Sequence, residues 1–152
     1  MDAKQLTELV VRPTLKELGL YSAAAEQLVV GTIFVESRAK YLKQIGNGPA
    51  LGIVQMEPAT HDDIWQYYLA YRTELSEKVR QISKEAIPKE LITNLAYAVA
   101  MCRVHYLRVP KPLPNSGDIP ALARYWKQYY NTHQGAGDVS DFIDKFPKEI
   151  LK

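Results

Sequence analysis

Residues 31–60 read GTIFVESRAKYLKQIGNGPALGIVQMEPAT, and they set one carboxylate, Glu36, against a glycine-punctuated loop that folds back toward it. The apolar lead-in of Leu28, Val29, Val30, Ile33, Phe34 and Val35 has the spacing of a buried helix that ends near Ser37. Glu36 then stands at the rim of a core. A carboxylate partly stripped of water there has a raised pKa and is suited to donating a proton near neutral pH. The alternative is an ordinary solvated glutamate at a helix end.

Residues 52–60, GIVQMEPAT, resemble the GLMQIMPAT segment of soluble lytic transglycosylases and related lysozyme-like muramidases, in which an upstream Glu-Ser pair carries the catalytic acid. Here that pair is Glu36-Ser37. Residues 129–135, YYNTHQG, are similar to the family's AYNAGPG segment and follow in the same order. The resemblance spans residues 28–137. It implies a mostly α (α+β), lysozyme-like fold with at most a very small β-sheet beside the active-site cleft. It also implies cleavage of the β-1,4 bond between N-acetylmuramic acid and N-acetylglucosamine in peptidoglycan. Glu36 would be the general acid, with Ser37, Gln55, Tyr130 and Asn131 supporting the loop, orienting the acid or binding substrate. No cofactor and no metal is implied.

In lytic transglycosylases the same glutamate next acts as base while the sugar's own 6-hydroxyl attacks the anomeric carbon, so no second carboxylate is required. Goose-type lysozymes, similar in fold, carry GLMQVD, which puts an acidic residue at the position of Glu57. If Glu57 faces the cleft, it can activate water as the base of an inverting hydrolase. The alternative is a favourable interaction with the dipole of the helix that Pro58 helps to start. Lys40 and Tyr41 replace the family's Asn/Phe-Pro pattern, and Thr132-His133-Gln134 replaces Ala-Gly-Pro, with the bulkier His133 set to narrow the cleft. These departures leave a second class of function open, a catalytically silent lysozyme-like structural or wall-binding component of a phage virion.

A chain of 152 residues with 47% hydrophobic and 24% charged side chains fits a single domain over residues 1–152. The charge of +2 is spread along the chain, without the basic stripe that nucleic-acid binding needs. Cys102 is alone, so no intramolecular disulfide can form. The N-terminus, MDAKQLTELVVRPTL, has no Sec signal pattern, and no apolar run approaches the roughly 20 residues of a membrane span. The expectation is synthesis in the cytoplasm and phage delivery to the cell wall, by a holin or with other virion proteins as partners. A bacterial protein without a signal is the alternative.

Along the chain, helical spacing over residues 6–18 is interrupted by Pro13, and Ser22 is placed to cap the helix that leads to Glu36. The alternation Leu51, Ile53, Gln55 permits a short extended segment. Thr60 with Asp63 reads as the start of a helix through Trp65, Tyr68, Leu69 and Arg72, and Ser76 as the start of another reaching Ala86. Pro88 is placed to open the longest helix, 89–108, with Leu91, Leu95, Val99, Cys102 and Tyr106 on one stripe. Cys102 and His105 share part of that face, and a core thiol beside an interfacial histidine is the better reading than a metal pair. Asp118 or Ile119 starts a helix ending at Asn131, and a last helix runs from Val139 to about Phe146.

Overall fold

The computed structural model describes residues 1–131 and 137–151. The N-terminal helical run has three parts: α1 (Ala3–Leu6), a π-helical turn (Thr7–Val11) and α2 (Arg12–Glu17). Pro13 stands in the first turn of α2 and has no N–H to give, so the chain widens into a π turn ahead of it. α3 (Ala23–Ser37) begins at Ser22, whose hydroxyl accepts the Ala25 N–H at 3.0 Å. Leu28, Val29, Val30 and Ile33 bury it on nearly every side. Its end is abrupt, because Arg38 (φ 58°) and Ala39 (φ 53°) are successive left-handed residues.

The chain then crosses a loop with two isolated bridges, Lys43 to Leu51 and Leu51 to Met56, and the described residues form no sheet. The extended segment expected at Leu51, Ile53 and Gln55 is a tight turn instead. Gly52 (φ 76°) and Gln55 (φ 49°) have left-handed backbones that no strand admits. Ile53 and Val54 are buried from this turn, which is why its sequence looks like a half-buried strand. A Cβ at Gly52 would stand 2.1 Å from the Leu91 carbonyl oxygen, so only glycine lets the turn close.

α4 (Pro58–Tyr67) begins two residues before the expected Thr60, with Glu57 at its N-cap and Pro58 in its first turn. It ends before Tyr68 and Arg72, giving way to a 3-10 turn (Leu69–Tyr71). α5 (Thr73–Ile82) places Ser76 inside the helix rather than at its start. It stops short of Ala86 because Ser83 turns extended and its hydroxyl donates to Glu90 Oε1 at 2.9 Å.

The long helix expected over 89–108 is divided into α6 (Glu90–Thr93) and α7 (Leu95–Leu107). Asn94 divides it. Its backbone is extended, its side-chain oxygen accepts the Tyr97 N–H at 3.0 Å, and its amide donates to the Ile82 carbonyl at 2.9 Å. An asparagine that bonds neighbouring backbone in this way competes with helix formation. Tyr97, Val99, Met101, Cys102, Val104 and Tyr106 bury α7 all round, so α7 shares the centre of the molecule with α3. α8 (Ile119–Tyr129) starts at the Asp118 cap, and α9 (Val139–Lys145) starts at a capping box of Asp138 and Asp141. α9 meets α3 at Gly31, where a Cβ would stand 2.2 Å from the Phe142 ring. A shared apolar cluster runs from Leu6 to Phe146. Among the described residues no helix is long and apolar enough to cross a membrane.

Candidate active site

Glu36 lies in the last turn of α3, half-buried, where the left-handed Arg38 and Ala39 turn the chain away directly after it. Two donors reach one of its oxygens. Trp126 Nε1 of α8 donates to Glu36 Oε2 at 2.9 Å, and Asn131 Nδ2, just past α8, reaches the same oxygen at 3.4 Å. Among the described residues nothing bonds Oε1. Burial raises the pKa of the carboxyl; the bonds from Trp126 and Asn131, and then the charges of Lys127 and Lys145, pull it part of the way back. The net direction is upward, toward a carboxyl that keeps its proton.

Asn131 is itself oriented. Lys127 Nζ donates to Asn131 Oδ1 at 3.0 Å, which turns the amide nitrogen toward Glu36. Lys127 Nζ also donates to the Gly137 carbonyl, tying the end of α8 to the approach to α9. Gly137 has to be small, since a Cβ there would lie 2.9 Å from the Trp126 ring.

The turn at residues 52–55 is fastened from two sides. Ser37 Oγ, buried, donates to the Ile53 carbonyl at 2.6 Å, and the Tyr130 hydroxyl donates to the adjacent Val54 carbonyl. Tyr130 stacks on Tyr106 with ring centroids 5.3 Å apart and meets His105 edge-on at 5.1 Å. Ser37 and Tyr130 thus link the turn to the helices that carry Glu36 and Trp126. Burial pushes the Tyr130 phenol well above its ordinary value, so it stays protonated and remains a donor.

The other sequence candidates make no hydrogen bond with Glu36 among the described residues. Gln55 bends back on its own turn, with Nε2 donating to the Gly52 carbonyl at 2.9 Å. Glu57 is exposed at the N-cap of α4, and its carboxylate makes no hydrogen bond or ion pair among the described residues. A carboxylate at that place is favoured by the helix dipole. Thr132, His133, Gln134 and Gly135 of the second motif lie outside the described residues. Cys102 is fully buried, and burial drives its thiol pKa upward. His105, partly buried on α7, is pushed down to about 4 by desolvation and by the charge of Arg108.

Trp126 is the site residue that sequence reading missed. The sequence places it only on the helix that ends at Asn131, although its spacing of four from Tyr130 puts both on one face of that helix. With the geometry in place, comparison with known proteins adds nothing to it: no family model matches the chain, and no curated protein or solved structure matches it.

Proposed function

We propose that the chain is a lysozyme-like, peptidoglycan-degrading enzyme that cleaves the glycan strand with Glu36 as general acid. The observation that carries this reading is the Glu36 carboxyl itself, raised in pKa by burial while two donors hold one of its oxygens. Because both donors point at Oε2, the proton belongs on Oε1. From there it is given to the glycosidic oxygen as the bond to the anomeric carbon breaks. The carboxylate left behind is stabilised by Trp126 and Asn131, and it can then take the proton of an attacking hydroxyl.

A single-acid course, in which the sugar's own 6-hydroxyl attacks, fits better than inverting hydrolysis. Glu57 is exposed at the N-cap of α4, where the helix dipole by itself accounts for a carboxylate. On this reading the protein is a lytic transglycosylase acting on the bacterial cell wall, delivered by phage, and Ser37 and Tyr130 support the site by holding the 52–55 turn. No cofactor or metal enters the chemistry.

The test is digestion of purified peptidoglycan by the wild type and by Glu36→Gln, with mass spectrometry of the released sugars. Release with 1,6-anhydro ends, reduced by roughly 10²–10⁴-fold in the variant, is expected for loss of a general acid. Reducing ends would instead make Glu57 the base of a muramidase. No release from several wall types by the folded wild type would overturn the enzymatic reading in favour of a silent virion component.

A further inference from the structure

A polar cavity of about 350 Å³ is lined by residues of α4 and α5, and no residue around Glu36 contributes to it. Its volume falls within the roughly 300–1,000 Å³ of small-molecule sites. Its back wall is a hydrogen-bond chain with a fixed direction. Trp65 Nε1 donates to the Tyr97 hydroxyl oxygen at 2.8 Å, and the Tyr97 hydroxyl donates to His61 Nε2 at 2.6 Å. His61 Nδ1 donates in turn to Asp62 Oδ1 at 3.0 Å. Burial lowers the His61 pKa, so the ring is neutral, and this order satisfies every group with the one ring proton available.

The chain ends on a charge at the mouth of the cavity, the exposed Asp62 carboxylate. A second, opposite charge is held on the same cavity from another direction. The Arg80 guanidinium of α5 lies 4.4 Å over the Trp65 ring, which orients it without neutralising it. Asp62 and Arg80 do not pair with each other. Among the described residues no carboxylate forms a salt bridge with Arg80, and the partner of Asp62 is the neutral His61. The side chains of Gln66 and Ser76 also line the cavity, and neither makes a hydrogen bond among the described residues.

Two opposite charges that line one small cavity and do not pair with each other match a ligand that carries both signs. We propose that this cavity binds a small zwitterion, an amino acid or short peptide whose carboxylate is taken by Arg80 and whose ammonium is taken by Asp62. A guanidinium offers a planar fork suited to a carboxylate. Gln66 and Ser76 supply the neutral donors and acceptors that a peptide amide requires. The site stands independently of the glycan-cleaving reading.

The test titrates alanyl-alanine into isotope-labelled protein and follows the indole N–H resonance of Trp65, with that of Trp126 as the internal control. A saturable shift at Trp65 with Trp126 unmoved is expected. N-acetylalanine and alaninamide, which lack one charge each, should bind at least about tenfold more weakly. Arg80→Gln and Asp62→Asn should each abolish the shift at an unchanged melting temperature. The proposal is overturned if the wild type shows no saturable shift, if the singly charged analogues bind as well as the dipeptide, or if both variants retain the shift.

Discussion

The indole N–H of Trp126 meets Glu36 Oε2 at 2.9 Å, joining two residues that stand 90 positions apart in the chain. This bond favours the ionised carboxylate, in opposition to burial. Trp126→Phe keeps an aromatic ring against Phe142, removes the donor and leaves a cavity where the larger indole stood. The Glu36 pKa should therefore rise further, as followed by carbon-detected titration of the carboxyl. Loss of the bond, together with the cavity left by the smaller ring, should also lower stability by about 1–3 kcal/mol in chemical denaturation. An unchanged or lowered carboxyl pKa would count against the assigned role of Trp126.

Ser37 shares the end of α3 with Glu36 but acts on the neighbouring turn. Ser37→Ala leaves the buried Ile53 carbonyl without its 2.6 Å donor. The expected cost is about 1–3 kcal/mol in denaturant unfolding. Faster amide exchange at Ile53, Val54 and Gln55 should accompany it, since Tyr130 is then the one side chain of the helices still holding these carbonyls among the described residues.

At Gly31 the core has no room to spare. A Cβ there would fall 2.2 Å from the Phe142 ring, so Gly31→Ala must push α9 away from α3 or force the ring off its rotamer. Overpacking of this kind costs about 1–3 kcal/mol, although alanine suits a helix interior better than glycine. A melting temperature above that of the wild type would show that the α3 and α9 contact is softer than described.

The raised pKa of Glu36 also sets a pH dependence of stability. Its folded-state value lies above the ordinary 4.5, so over that interval the native state binds a proton that the unfolded chain has released. The native state therefore has its full stability below the ordinary value and loses some as pH rises through the folded pKa. Glu36→Gln cannot ionise and keeps an oxygen to accept from Trp126, so it escapes this loss. Its melting temperature relative to the wild type should climb across that interval and level off above it. A difference constant with pH would contradict the raised pKa.

The parts of the fold that sequence reading captured are those written in local chemistry. Ser22, Asp118 and Asp138 mark the starts of α3, α8 and α9 because each cap bonds an N–H only a few residues away. What escaped depends on distant partners. Asn94 breaks a continuous helical pattern because the Ile82 carbonyl is there to take its amide. The turn at 52–55 imitates a strand because its closeness to Leu91 is invisible in the alternation of Leu51, Ile53 and Gln55. Within the candidate site, Glu36 and Asn131 are brought into hydrogen-bond reach, and Ser37 and Tyr130 converge on adjacent carbonyls. Gln55 and Glu57 make no hydrogen bond with Glu36, and Trp126 enters only with the geometry. An indole reads as core packing until its N–H is seen to have a carboxylate for a partner.

The most direct measurement for the account is the rate of glycan release from peptidoglycan as a function of pH, for the wild type and for Trp126→Phe. If Glu36 donates the proton, the rate falls as pH rises through its pKa, and removing the Trp126 donor moves that fall to higher pH. A descending limb that stays in place in the variant, or no glycan release at any pH by the folded wild type, would contradict Glu36 as the general acid.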